Sequence, residues 1–267
     1  MIRNPVVAGQ FYPENPKQLQ EQIAGFIKKT IKKEDALGVI SPHAGYMFSG
    51  AVAGAVYSKI KISDKVIILC PNHTGRGAPF SIITEGSWAT PLGEVKIASA
   101  IGKKILENSK ELEEDVLAHT LEHSIEVQLP FLQYLNPQIS FVPICLSSGN
   151  YSSYEDIAFA ISNAIKNTGE KVLIIASSDM THYESHDVAN EKDREAIDAI
   201  LELDERLLLK RIEDFNISMC GYVPATVMLI ACKKLGAKTA ELVKYQTSGD
   251  ITGDYSEVVG YAGVIVK

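Results

Sequence analysis

No stretch of this chain approaches the ~20 consecutive apolar residues that a membrane-spanning helix requires. The longest candidate, Gly221 to Cys232, is shorter and carries Pro224 in its first turn. The opening residues, Met1-Ile2-Arg3-Asn4-Pro5, lack the apolar core of a secretion signal. Cysteine is scarce and unpatterned: Cys70, Cys145, Cys220 and Cys232 form no Cys-x-x-Cys pair, so reduced thiols are expected. Positive charge is in deficit, with 26 basic against 33 acidic residues and a net charge of −7. That balance gives no electrostatic reason to expect a nucleic-acid or anionic-membrane partner. The short basic clusters, Lys28-Lys29 with Lys32-Lys33 and Lys233-Lys234, sit in or near predicted helices and read as solvated faces. Linkers, low-complexity tracts and repeats of fixed period are also missing. The expectation is a soluble, cytoplasmic protein folded as one domain over residues 1–267, with 46% hydrophobic residues to fill its core.

What is present has a recurring grammar. The apolar run Ala36-Leu37-Gly38-Val39-Ile40 leads into Ser41-Pro42-His43-Ala44-Gly45-Tyr46, and Pro42 ends the strand so that His43 falls on the loop leaving it. Val66 to Cys70 leads in the same way into Pro71-Asn72-His73, and Val172 to Ala176 into Ser177-Ser178-Asp179-Met180-Thr181-His182. If these strands are parallel neighbours, their carboxyl ends share one edge of a sheet, where open α/β folds place their sites.

Helices are predicted from Asn15-Pro16 to about Lys33, from Ser49 to Lys59, where small residues suit close packing on the sheet, and from Ala98 to Asn108. Further helices are expected near Thr120, divided by Pro130, and at 154–166, 188–203, 205–211 and 224–235. Short strand-like pieces between Phe80 and Ile97 suggest an antiparallel addition. Ile139 to Cys145 is a strand whose Pro143 argues for an edge or an end. Lys238 to Thr247 and Glu257 to Val266 form a terminal pair. Strands alternating with helices predict a three-layer α/β/α domain around a mixed, partly parallel sheet.

Imidazole suits iron, copper and zinc, and separate loops can bring ligands to one point, so His43 and His73 are candidate metal ligands. Asp179, three residues before His182, can meet that imidazole and fix its tautomer, making His182 a third ligand or a general base. Cys220 precedes a helix whose dipole favours a thiolate, as a soft metal ligand or a nucleophile. The other three cysteines read as small buried residues. His119-Thr120-Leu121-Glu122-His123 matches the H-x-x-E-H zinc signature, but Thr120 reads as an N-cap that leaves His119 outside the helix. Glu122, His123 and Glu126 are then expected in a polar shell around the site. Gly45, Gly50, Gly75 and Gly77 offer backbone amides to an anion.

These residues resemble a family. Pro5-Val6-Val7-Ala8-Gly9-Gln10-Phe11-Tyr12-Pro13, Ser41-Pro42-His43-Ala44-Gly45-Tyr46, Pro71-Asn72-His73, Glu122-His123-Ser124-Ile125-Glu126, Ser177-Ser178-Asp179 with His182, and Cys220-Gly221 look like the Memo family. Its members include a mediator of ErbB-driven cell motility and the microbial AmmeMemoRadiSam system protein B. The resemblance implies a fold similar to class III extradiol dioxygenases, with His43 and His73 on iron-ligand positions and His182 on the catalytic acid/base. Cys220 stands where those dioxygenases carry a glutamate, which shifts metal preference toward softer ions such as copper. The resemblance implies iron or copper binding, an unidentified small-molecule or phosphotyrosine-like peptide partner, and a functional link to a radical-SAM protein. The alternative in another class is a non-catalytic scaffold that binds an anionic peptide or a partner protein in the same cleft, with a cysteine-nucleophile hydrolase built on Cys220 and His182 as a third reading that lacks an oxyanion-hole signature.

Overall fold

A computed structural model describes residues 1–267. In chain order the elements are β1 (Ile2–Arg3), α1 (Pro16–Phe26), β2 (Gly38–Ser41), α2 (Tyr46–Lys59), β3 (Lys65–Pro71), β4 (Phe80–Ile82), β5 (Ser87–Thr90) and β6 (Gly93–Ile97). There follow α3 (Ser99–Asn108), β7 (Glu113–Glu114), α4 (Leu117–Thr120), α5 (Leu129–Leu135), β8 (Ser140–Leu146), α6 (Tyr151–Thr168), β9 (Val172–Ser177) and β10 (His182–Glu184). The chain closes with α7 (His186–Leu201), α8 (Glu205–Asp214), α9 (Tyr222–Lys234), β11 (Ala240–Thr247), α10 (Gly249–Thr252) and β12 (Val258–Val266).

All twelve strands join one mixed sheet whose main path runs β1-β5-β6-β8-β3-β9-β2-β12-β10. The expectation on which the site depends is met: β3, β9 and β2 are adjacent and parallel, with Ser41 paired to Ser177 at the shared carboxyl edge. Alternation along each strand sends successive side chains to opposite faces. Ile40, Ile67, Val142, Ile174 and Val264 face one core under α3, α6, α7, α8 and α9. Val39, Ile68, Phe141, Ile175 and Ile265 face a second core under α1, α2 and α5. The result is the three-layer α/β/α architecture.

Four local expectations are corrected. Helix α1 stops at Phe26, well before Lys33. No helix runs from Thr120 to Pro130; α4 ends at Thr120, and α5 opens at Leu129 with Pro130 in its first turn, where a missing N–H costs nothing. Strand β8 is interior, between β3 and the β4/β6 side. Pro143 is tolerated there because β6 covers Ser140 and Phe141 while β4 covers Ile144 to Leu146, so the ring sits where one neighbour hands over to the other. Finally, the two glycines within α2 face α1 rather than the sheet. A Cβ at Gly50 would lie 2.5 Å from the Phe26 ring, and one at Gly54 would lie 2.5 Å from Phe26 Cβ, so these glycines admit the end of α1.

Candidate metal centre

His43 follows β2 at the sheet edge, where Ser177, the last residue of β9, holds its Nδ1 at 2.9 Å. The Ser177 hydroxyl donates to the Ser124 carbonyl at 2.8 Å and accepts from Gln128 Nε2 at 2.8 Å. Gln128 is itself fixed by the Tyr57 hydroxyl, which donates to Oε1 at 2.7 Å. A hydroxyl has one proton to give. With that proton on Ser124, His43 must donate through Nδ1, leaving a lone pair on Nε2. Burial pushes the His43 pKa well below its ordinary value, and the neighbouring imidazoles push it further.

His73, on the loop after β3, is fixed by a second device. Its Nδ1 donates to Glu122 Oε1 at 2.9 Å and its backbone N–H to Glu122 Oε2 at 2.7 Å. The Ser124 backbone N–H and hydroxyl also donate to Oε1, at 3.0 and 2.6 Å. Burial opposes ionisation of Glu122, but these donors and the His73 charge outweigh it and hold the carboxyl far below its usual range. The same pairing raises the His73 pKa against its own desolvation. In the neutral imidazole the Nδ1–H is committed to Glu122, so the lone pair of His73, like that of His43, lies on Nε2.

His123 supplies a third imidazole. Its ring stacks on His73, with centroids 5.0 Å apart and planes 20° from parallel, and the edge of Phe11 packs against it at 5.0 Å. The donor nitrogens of His43, His73 and His123 all lie within 4.8 Å of one another. Exposure rises from His43 at 2% to the His73 side chain at 33%, so the trio opens to solvent on the His73 side. Three converging imidazoles, two with their outer nitrogens tied off by hydrogen bonds, fit a borderline transition-metal ion.

Cys220 reaches the same place because Gly221 has no side chain; a Cβ there would lie 2.4 Å from Ser178 Cβ and 2.5 Å from the Ser177 carbonyl oxygen. Cys220 Sγ is 3.3 Å from His43 Nε2 and accepts the Asp179 N–H at 3.2 Å. It stands outside the group of donors mutually within 4.8 Å. Burial and then the Asp179 charge push the Cys220 pKa up, against the thiolate that the dipole of the following helix favours.

A family model described as "Memo-like protein" matches residues 3–265. The chain belongs to the Memo family. A MEMO1 family protein from Methanopyrus kandleri is 41% identical over 281 residues, covering 100% of this chain and 99% of its own. One from Methanosarcina barkeri is 42% identical over 268 residues, with 100% of both chains covered. The solved structure of an uncharacterized protein from Escherichia coli K12 superposes with a TM-score of 0.54 at 10% identity, covering 86% of this chain and 99% of that one, a likeness of fold alone.

In this Memo-family chain the sequence-derived residues are regrouped. His43, His73 and Cys220 meet at the sheet edge, and His123, expected only in a surrounding polar shell, is one of the three imidazoles. Asp179 does not orient His182. Its Oδ1 accepts the backbone N–H groups of His43 and Ala44 at 2.8 and 3.3 Å, so it holds the His43 loop. His182 is positioned by Ser218, whose carbonyl accepts from Nδ1 at 3.0 Å and whose hydroxyl accepts the His182 N–H at 2.8 Å. A carbonyl oxygen can only accept, which fixes a proton on Nδ1 and leaves Nε2 as the other ring position. Glu126 faces away from the trio and ties down the N-terminal segment, accepting from Val6 N, Val7 N, Tyr12 Oη and Arg3 Nη1 at 2.7 to 3.0 Å. Of the four glycines expected to offer amides to an anion, Gly75 gives its N–H to Asn72 Oδ1 and Gly50 lies inside α2. His119 lies in α4, outside the group of converging imidazoles.

Proposed function

We propose that this protein binds one iron or copper ion at the carboxyl edge of β2, β3 and β9 and supports redox chemistry on a small molecule. His43, His73 and His123 are the nitrogen donors, and Cys220 flanks His43 as a soft donor whose proton a metal would displace. The observation that carries this reading is the convergence of three donor nitrogens within 4.8 Å, with Ser177 and Glu122 fixing the tautomers of two. A bound ion of this kind would supply Lewis acidity and one-electron chemistry. His182 is the proton carrier. Its Nδ1 donates to the Ser218 carbonyl, which leaves Nε2 as the nitrogen that takes up or releases the proton. Asp179 positions the His43 loop. The dioxygenase resemblance favours an aromatic or other oxygen-reactive substrate, and the link to a radical-SAM protein belongs to the same proposal.

Elemental analysis of anaerobically purified protein tests it. The expected result is about one iron or copper per chain, lost in His43→Ala and His73→Ala and reduced in His123→Ala. Full metal content in His43→Ala and His73→Ala would refute the assignment. In oxygen-uptake assays, His182→Ala should keep its metal and lose turnover.

A further inference from the structure

Five tyrosines are buried in this molecule, and four of them give their hydroxyl proton to the protein: Tyr12 to Glu126, Tyr46 to the Val127 carbonyl, Tyr57 to Gln128 and Tyr154 to the Gly149 carbonyl. Tyr261 is the fifth. It is 2% exposed, belongs to neither of the two main cores, and its hydroxyl has no hydrogen-bond partner in the protein. Buried tyrosine hydroxyls ordinarily find one.

The backbone puts that side chain beside the candidate centre. In β12, Ala262, Val264 and Val266 face the core under α6 and α9, so Tyr261 points to the opposite side, where Gly263 packs against Val52 and Val56 of α2. Gly260 accepts the Met180 N–H at 2.8 Å and donates to the Thr181 carbonyl at 2.9 Å, which brings the next residue, Tyr261, alongside Asp179. Burial and then the Asp179 charge raise the Tyr261 pKa, so its phenol keeps a proton to give. Asp179 has an oxygen to spare. Its Oδ1 holds the His43 loop, while Oδ2 takes no hydrogen bond and stands 4.0 Å from His43 Nε2. Neither Tyr261 Oη nor Asp179 Oδ2 is sealed from solvent, in contrast to the Ser41 hydroxyl and the His119 ring nitrogens. At the rim Tyr183 is 75% exposed, its ring edge-on to His182 at 5.9 Å, and its backbone is held at φ +58° where the β10/β12 register shifts. A bulky residue in the left-handed region is rare, and such strain gathers at functional sites.

We propose that Tyr261 and Asp179 hold an uncharged hydroxyl group of the substrate between them, with the Tyr183 ring as the platform for the flat or apolar body that carries it. The two unpaired atoms do not bond to each other, so the group between them must offer a lone pair to the Tyr261 hydroxyl and a proton to Asp179 Oδ2. A hydroxyl does both; an ether or a carboxylate offers only the lone pair. That the molecule is the substrate rests on the redox reading above, whereas its binding to these two side chains does not.

Calorimetry and absorbance titrations with 4-nitrophenol and its methyl ether, 4-nitroanisole, test this on the full chain as purified and again after chelator treatment. The nitrophenol absorbance reports whether its hydroxyl keeps its proton. The expected result is saturable binding of the protonated phenol, the same with and without chelation, and weaker binding of the ether. Tyr261→Phe should weaken nitrophenol binding roughly fivefold, the worth of one neutral hydrogen bond, and leave the thermal midpoint and metal content unchanged, because its hydroxyl bonds to nothing in the protein. Tyr183→Asn, which suits the left-handed backbone, should weaken both probes alike. The proposal is overturned by an absence of saturable binding, by nitrophenol bound as its anion, or by equal affinity for the ether, which would mean that the pair serves only water. It is overturned equally by binding that chelation abolishes, since the ion would then hold the hydroxyl, or by a Tyr261→Phe protein that binds normally or melts early. Metal uptake is read separately in each sample, so a protein that takes up no ion and still binds nitrophenol refutes the metal reading alone.

Discussion

Glu122 does more for the candidate centre than any residue that would touch the ion. It accepts both the side chain and the backbone of His73 and takes two donors from Ser124, so a single buried carboxylate fixes a loop, a tautomer and the basicity of a donor nitrogen. Glu122→Gln keeps the shape and removes the charge. Its metal affinity should fall about 10- to 100-fold, as for other hydrogen-bond partners of ligating histidines, and competition titration with a chelator would read it. His119 sets a different expectation, for stability against pH. Burial, then the nearby Arg3 charge, bring its pKa down to about 4. Between that value and the ordinary 6.5 the unfolded chain binds the extra proton, so this stability is complete above about pH 6.5 and drains away as pH falls toward 4. The loss is about 3 kcal/mol, and urea midpoints of His119→Phe should decline less steeply over that window than those of the unaltered protein.

At the scale of elements, the β2, β3 and β9 carboxyl ends could be read from apolar runs punctuated by Ser-Pro-His, Pro-Asn-His and Ser-Ser-Asp, because buried parallel strands declare themselves as continuous hydrophobic stretches. What stayed hidden has a common physical origin. The Leu121 to Gln128 segment is irregular and has no periodicity to detect. Its shape comes from partners more than a hundred residues away: Glu126 accepts from the backbone of Val6 and Val7 and from the Tyr12 hydroxyl. His123 was therefore visible as a motif residue and not as a donor. Asp179 misleads for the opposite reason: a spacing of three suggests a local partner, while the carboxylate reaches across to the His43 loop. The α1/α2 contact offers a test of packing over propensity. Gly50→Ala improves helix propensity yet meets the Phe26 ring at 2.5 Å, so it should destabilise by about 1 to 3 kcal/mol. Phe26→Ala should absorb much of that cost in the double variant. At Gly54 the close atoms include the Phe26 backbone carbonyl at 2.8 Å, and the same rescue should fail. Thermal or denaturant melts of the two double-mutant cycles would distinguish them.

Across the whole molecule, the sheet divides the labour. Its two faces bury separate cores under helices, which leaves the carboxyl edge as the place where loops from non-consecutive strands can meet without disturbing either core. The central claim is that three imidazoles from that edge surround one ion. X-ray absorption at the metal edge of the loaded protein tests it most directly. The account predicts a first shell containing about three nitrogens at roughly 2.0–2.1 Å, with the outer-shell scattering that imidazole rings produce, and one ring fewer in His123→Ala. A protein that takes up no iron or copper, or a first shell without imidazole scattering that His123→Ala leaves unchanged, would contradict it.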